Sequence, residues 1–382
     1  DTATPKDNTM TTFTTIPAER ILGAVSDLRA ARNFKDEDYR PERPTFIQAA
    51  GGMVFLVTDA PTKETRQQIA GRVRLSDDQG HGQTISGMWQ VGLDVLGEVA
   101  AAVAGVSATL CANGGTLRLQ ANGVTATVGY KPNKAPALPD FAASTTAPRF
   151  EMGPESFDAL RCALDAAAKW KDGRSNLAGV MVFSYQGAAW AAGTNGHFLN
   201  VARLPGVVLQ GQSVVHPDPV PAAWLHRSVV KCLISRPRAA VITVESVTGL
   251  HHMQADGTEW TWKGEAHVNW PAVHPKGEPR AVVPAPVDLR DRLAVFIATD
   301  HSLRMGVSIQ LAEGVATFRM REAETSFPCP GAPDAQVKLS PSYLSRALGM
   351  FKTDARIEIR QPLDPVVVRG PDGFALIMPM RE

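Results

Sequence analysis

Histidines and acids gather between residues 251 and 274: His251-His252, Asp256, Glu265, His267 and His274. Imidazoles near carboxylates are the raw material of a hydrolytic metal centre. Their spacing argues against one. No His-Glu-x-x-His, His-x-His or paired-carboxylate motif occurs, and adjacent histidines on a strand point to opposite faces, which disfavours shared ligation. Gly51-Gly52 and Gly114-Gly115 lack the Gly-Lys-Ser/Thr of a phosphate loop and read as hairpin turns. There is no Gly-x-Ser-x-Gly elbow. Cys111, Cys162, Cys232 and Cys329 are scattered without a Cys-x-x-Cys pair, as reduced and mostly buried thiols are, and Cys329 between Phe327-Pro328 and Pro330 reads as a surface loop. No catalytic residue, metal or cofactor is expected, and a metal-dependent hydrolase is the weakest alternative.

Two other segments carry recognition chemistry. Gly193-Thr194-Asn195-Gly196-His197-Phe198-Leu199 contains Asn-Gly, the strongest short signal for a two-residue type I′ hairpin turn. The chain ends Leu376-Ile377-Met378-Pro379-Met380-Arg381-Glu382. On residues alone, Met378 and Met380 either fill the core of a final strand or line a groove, where an unbranched, polarizable side chain repacks around varied peptides. Pro379 removes a backbone donor and keeps that edge from pairing onward.

These segments need a scaffold, and the chain is long enough for several domains. Its 382 residues exceed one ordinary core, 44% hydrophobic and 20% charged residues are those of a globular protein, and no window approaches the roughly 18 apolar residues of a membrane span. A net charge of +1 leaves nucleic acid open, because a ring or groove can gather its cations on one surface. Residues 1–9 are polar with no apolar stretch, so they read as a disordered leader and not as a secretory signal, with Met10 a candidate start.

A helix-then-strands pattern recurs every roughly 120–140 residues. Its first helices start at Pro17 (Ile21, Leu22, Val25, Leu28), Pro154 (Phe157, Leu160, Ala163, Leu164, Ala167) and Pro286 (Leu289, Leu293, Phe296), each with an apolar stripe at helical spacing. Second helices are predicted over Met88–Val99, Pro221–Leu233 and Pro341–Met350. Gly52–Val57, Gly179–Ser184 and Met305–Leu311 read as strands in one equivalent slot, and Gly115–Gln120, Ala240–Val244 and Arg356–Arg360 as half-buried strands. Pro, Ser and Thr clusters at 142–148 and 275–279 mark boundaries. The expected class is α+β: three repeated domains over 10–141, 149–276 and 280–382, each with two helices packed on antiparallel sheets.

The terminal Met-Pro-Met-Arg and the Thr194–Leu199 turn resemble the bacterial beta sliding clamp, the processivity subunit of DNA polymerase III, where the family reads V-M-P-M-R and A-T-D-G-H-R-L. Arg43-Pro44-Thr45-Phe46 is similar to the family's R-P-T-L, Trp270-Pro271 stands at its F-P-D-Y, and Ser340-Pro341-Ser342-Tyr343-Leu344 at its N-V-S-Y-V-L. The resemblance implies DNA-clamp domains in a head-to-tail homodimeric ring, cytoplasmic, without membrane contact, that encircles double-stranded DNA irrespective of sequence. It also implies a pocket for polymerase and clamp-loader peptides, a separate ATP-driven loader and no catalysis.

By that resemblance the peptide would meet Arg174, Leu177, Thr194, Gly196, His197, Phe198, Leu199, Pro271, Ser340, Tyr343, Pro362, Asp364 and Leu376 through Ile377, Met378, Pro379, Met380 and Arg381. Phe198 stands where the family has Arg and Asn195 where it has Asp, which predicts a more apolar, less cationic pocket with less need of acidic peptide flanks. Arg43 and Lys171 are carried over as DNA contacts, and the helix candidates add Arg20, Arg29, Arg161, Lys169, Arg227, Lys231 and Arg346 as phosphate-facing cations. Ala126 and Val128 are expected to meet Phe296 and Ile297 of the other subunit. A paralogue, a phage-encoded decoy or an inhibitor-tolerant copy would share all these features.

Overall fold

The computed structural model describes residues 11–32, 45–50, 53–58, 69–76, 87–113, 115–132, 149–168, 177–209, 218–235, 240–245, 250–255, 258–263, 269–299, 306–351 and 353–380. Among them the elements run in three rounds of one order: a strand, a helix, four strands, a second helix and three strands.

Round one is β1 (Thr11–Pro17), α1 (Ala18–Arg32), β2 (Thr45–Ala50), β3 (Met53–Thr58), β4 (Ile69–Ser76), β5 (Gly87–Val91), α2 (Leu93–Ala102), β6 (Ser107–Asn113), β7 (Thr116–Ala121) and β8 (Val124–Tyr130). Round two is β9 (Arg149–Met152), α3 (Phe157–Ala166), β10 (Gly179–Tyr185), β11 (Ala188–Thr194), β12 (Phe198–Arg203), β13 (Val220–His226), α4 (Arg227–Ser235), β14 (Ala240–Glu245), β15 (Leu250–Ala255) and β16 (Thr258–Lys263). A short helix, α5 (Trp270–Val273), leads to round three. That round is β17 (Ala281–Pro284), α6 (Leu289–Thr299), β18 (Val307–Ala312), β19 (Val315–Met320), β20 (Ala323–Pro328), β21 (Ala335–Leu339), α7 (Pro341–Leu348), β22 (Arg356–Ile359), β23 (Val366–Gly370) and β24 (Gly373–Ile377).

Two predicted helices began too early. Met88–Val91 belongs to β5 and Pro221–His226 to β13, each strand running almost directly into its helix. Pro221 is tolerated because β13 is an edge strand and its pairing with β10 slips at Val182/Phe183, where a missing N–H costs little. The three strands expected in one equivalent slot do not all occupy it. Gly179–Ser184 and Met305–Leu311 correspond to β10 and β18, the first strands of their sets, but Gly52–Val57 corresponds to β3, the second strand of its set.

The chain divides into two compact units, residues 1–152 with 231–264 and residues 153–230 with 265–382. The first holds one antiparallel twelve-stranded sheet, ordered β1-β6-β7-β8-β5-β2-β3-β4-β16-β15-β14-β9, in which the pair β4 and β16 joins strands of two rounds. Ile21, Ala24, Val25 and Leu28 of α1 are buried, as their spacing predicts. Asp27 is buried on the same stripe and accepts a 3.0 Å hydrogen bond from Thr258 Oγ1, which offsets the cost of taking a carboxylate out of water.

The second unit holds an eight-stranded sheet, β13-β10-β11-β12-β24-β23-β22-β17, and a four-stranded one, β20-β19-β18-β21. Alternating burial along β19 gives that strand one wet face. Nearly all of β10 is buried, with Met181 and Phe183 in a cluster with Trp270. β12 and β24 pair from Phe198 with Ile377 to Ala202 with Gly373, so the predicted turn and the chain's last strand lie side by side.

Candidate peptide-binding site

The Thr194–Leu199 segment closes β11 onto β12, and its geometry is set by one asparagine. Asn195 Oδ1 accepts hydrogen bonds from the backbone N–H of both His197 and Phe198, each at 2.9 Å. That side-chain turn makes Gly196 and His197 the central pair, with Gly196 at φ +89° and His197 on the ordinary side. A type I′ turn centred on Asn195-Gly196 needs positive φ at both, so the predicted turn is one residue out of register. Thr194 Oγ1 donates to the Phe198 carbonyl at 2.8 Å and accepts from Gly196 N–H at 3.0 Å, bracing the loop from inside.

The terminal segment is tied directly to that turn. Met378 N–H donates to the His197 carbonyl at 2.9 Å, and Met380 N–H to the Lys338 carbonyl at 2.8 Å, while Pro379 between them has no N–H to offer. Met378 is 40% exposed, the first such residue after the buried run Gly373–Ile377. Pro379 and Met380 are half-buried. Ala168 N–H reaches both the Leu177 and the Thr194 carbonyls, at 3.0 and 2.9 Å, which brings half-buried Leu177 to the same edge.

Successive residues of β12 and β24 face opposite ways. Leu199 and Leu376 join Trp270, the residue before Pro271, in one cluster, and Phe198 and Ile377 join Leu293 and Leu344 in the other. Phe198 is therefore part of a core and not of an exposed rim. It is 1% exposed, its ring stacked on Tyr343 at 5.1 Å and 8°, and Asn195 Nδ2 donates to the Tyr343 hydroxyl at 3.1 Å. Over these rings lies Arg346, its Cζ 5.2 Å from the Phe198 centroid and 5.9 Å from that of Tyr343, with Nε donating to Asp165 Oδ2 at 2.7 Å. Such stacking holds a guanidinium in one orientation. A cation thus stands beside the turn although residue 198 is aromatic, and it is one of the helix cations expected from the sequence to face phosphates.

Ser340 is the N-cap residue of α7, and Pro362 and Asp364 belong to the turn before β23. Pairing of Val366 with Ile377 puts that turn at the Met378 end of the sheet, and Asp364 Oδ2 accepts from Gln361 N–H at 3.3 Å. Arg174 and Arg381 lie outside the described residues, as do Arg43, Lys169 and Lys171.

Of the remaining cations proposed for DNA, Arg20 is exposed and Lys231 half-buried. Arg29 and Arg161 each meet a carboxylate at 2.7 Å, Asp94 and Asp158, and Arg227 Nη1 donates to the Leu164 carbonyl at 3.3 Å. Val128 and Phe296, expected at a subunit contact, are 3% and 4% exposed inside their own units. Phe296 shares the inward stripe of Leu289 and Leu293, which leaves Val295 outward at 60% exposure. Cys329, read as a surface thiol, is buried, its N–H donating to the Gly314 carbonyl at 2.7 Å, and burial raises its pKa. His251 stacks on Trp262 at 5.3 Å and His252 Nδ1 lies 2.9 Å from Thr261 Oγ1, so both are built into the sheet.

No protein-family model and no curated protein sequence matches this chain. Solved structures do. A putative DNA polymerase III beta subunit from Eubacterium rectale superposes with a TM-score of 0.75 over 98% of this chain and 100% of that one, at 10% identity. The chain shares the fold of the bacterial sliding clamps. The DNA polymerase III subunit beta of Pseudomonas aeruginosa matches at 0.74, 18% identity and 97% and 100% coverage. A Helicobacter pylori beta clamp, solved with a DNA ligase peptide bound, matches at 0.70, 12% identity and 96% and 99% coverage. At such identities the clamp fold survives on burial pattern and strand register while most side chains have changed.

Proposed function

We propose that the protein is a DNA polymerase processivity clamp, a non-catalytic homodimeric ring that encircles duplex DNA and holds polymerase and clamp-loader peptides at the Thr194–Met378 groove. The observation that carries this reading is the Met378 N–H to His197 carbonyl bond, which joins the turn to the terminal strand and leaves the Met378 side chain exposed beside it. An apolar, polarizable lip next to a braced turn suits a peptide's aliphatic and aromatic anchors. Clamp domains would span residues 10–141, 149–276 and 280–382, and the working compartment would be the cytoplasm, on a nucleoid or in a phage-infected cell.

Ring closure is supported by two strand edges that are open among the described residues. β8 pairs with β7 along its length but with β5 only at Gly129 and Tyr130, and Val124 on it is 63% exposed. β20 ends the four-stranded sheet. One such edge in each unit suits a head-to-tail contact that closes after two copies, with Val124 and Val295 in place of the buried Val128 and Phe296. DNA would be held by Arg43, Lys171 and the cations of the helices through phosphates alone, which permits sliding and weakens with salt. Light scattering tests the assembly: the expected species has twice the 40.9 kDa of one chain, and a monomer at micromolar concentration overturns the ring.

A further inference from the structure

At the other end of β24 from Met378, the second unit contains a cavity of 580 Å³ among the tip of the β10–β11 hairpin, helix α5 and the β23–β24 turn. Ligand pockets run from about 300 to 1,000 Å³. Its wall is a run of edge-to-face rings. Tyr185 meets Trp190 at 6.4 Å and Trp270 at 5.3 Å, and Trp270 meets Phe374 at 5.2 Å. Tyr185 and Trp190 are only half-buried, so part of this aromatic surface faces the opening.

A fixed cation stands on the same wall. Arg369 Nε donates to Glu358 Oε1 at 2.8 Å, its Nη2 lies 3.4 Å from His274 Nε2, and its Cζ sits 5.5 Å over the Phe374 ring. His274 Nδ1 lies 3.1 Å from the Pro275 carbonyl, so the proton sits on that nitrogen and Nε2 accepts from Arg369. Burial, and then the charge of Arg369, lower the His274 pKa, which keeps that acceptor neutral. Lys276 adds a second, exposed cation to the lining, and Asp218 a single acid. A guanidinium oriented in advance by three neighbours loses little freedom when it binds an anion.

We propose that this cavity binds a segment of another polypeptide in which an aromatic side chain adjoins a carboxylate, the ring against Tyr185, Trp190 and Trp270 and the carboxylate on Arg369 and Lys276. A cationic ligand would meet both of those charges. A nucleic acid strand offers flat rings and anions too, but its successive phosphates need a track of cations, and the lining has two, one of them already paired with Glu358. Phe374 precedes Met378 by four residues, about 13 Å of strand, so the cavity adjoins the Thr194–Met378 groove, shares Pro271 with it, and differs from it in being lined by Tyr185, Trp190 and Arg369. The inference needs only the second unit's geometry and does not depend on the clamp reading.

The test uses the full-length protein and three fluorescein-labelled probes: a Gly-Ser octapeptide carrying Phe-Asp, the same peptide carrying Phe-Asn, and a twelve-residue oligothymidylate. The expected result is that Phe-Asp binds about tenfold more tightly than Phe-Asn. Arg369→Gln abolishes that preference while leaving Phe-Asn binding unchanged, which a merely disturbed fold would not do. Trp190→Ala weakens both peptides. Lys276→Gln, at an exposed position, halves the preference or better even if Arg369→Gln fails to fold. Equal affinity for the two peptides, no binding at millimolar peptide, or oligothymidylate binding as tightly as Phe-Asp each overturns the proposal.

Discussion

Replacing Met378 with aspartate is expected to weaken binding of a Gln-Leu-x-Leu-Phe peptide, the type that the resemblance to the beta clamp implies, at least about tenfold, and up to about a hundredfold, with the melting temperature unchanged. The side chain is 40% exposed and follows the buried run of β24, so little of the fold rests on it. Its backbone N–H, the part that holds the His197 carbonyl, survives the substitution. What is lost is apolar contact with the peptide, roughly 1.5–3 kcal/mol for a fully covered methionine, and a buried carboxylate adds its own desolvation cost. Fluorescence anisotropy measures the affinity. In the same assay Arg346→Gln reduces any preference for an acidic over a neutral residue beside the apolar anchor, because its guanidinium is the cation stacked over Phe198 and Tyr343. Phe198→Arg would not report on that preference, since it buries a charge at a site only 1% exposed. Parental affinity in Met378→Asp would place the peptide elsewhere.

Gly193→Ala carries the largest expected cost in stability. A Cβ at that position would lie 1.9 Å from the Ala163 carbonyl oxygen and 2.7 Å from its carbon, and both are backbone atoms of α3. Neither can rotate away. The helix end is pressed onto this strand pair, where Asn200, opposite Gly193, donates through Nδ2 to the Cys162 carbonyl at 2.7 Å. Relief requires α3 and β11 to separate, at about 2–4 kcal/mol, which lowers the melting temperature by roughly 5–10 °C. Thr194 follows directly, so peptide affinity falls with it. Gly92→Ala is the matched control, since its new methyl meets nothing closer than Val95 at 3.4 Å. A Gly193→Ala melt that overlays the control would mean that α3 does not rest on β11.

Much of this architecture is written in local periodicity, because burial imposes a period of 3.6 on helices and 2 on strands. The stripes at Ile21, Val25 and Leu28, at Phe157, Leu160 and Ala163, and at Leu289, Leu293 and Phe296 are buried where their spacing puts them. Errors arose where local signals coincide. Met88–Val91 and Pro221–His226 merge with the helices after them because only a single residue, or none, separates strand from helix. Pro221 is a plausible first residue of a helix and also a tolerated residue of a bulged edge strand, and only the sheet order decides.

The candidate site was legible as two motifs but not as a set of exposures. Resemblance puts Phe198 among the residues that would meet the peptide, yet pairing with β24 and the stack on Tyr343 turn it into core. Arg346 looked like one more helix cation, since nothing in its neighbourhood in the chain reveals Asp165, 181 residues away. Likewise the carboxylates beside Arg29 and Arg161 come from Asp94 and Asp158, and a count of basic residues does not foresee them. The aromatic cavity could not be read at all, because Tyr185, Trp270, Arg369 and Phe374 come from distant parts of the chain.

Topology distinguishes a ring on DNA from a protein that merely adheres to it. A bacterial clamp loader with ATP is used to place the protein on nicked circular duplex, the complex is passed through a sizing column, and a restriction enzyme then cuts the circle. A closed ring travels with the intact circle at salt concentrations that break phosphate contacts and leaves as soon as the DNA is linear. Equal retention on circular and linear DNA, or loss from the circle as salt is raised, would contradict it.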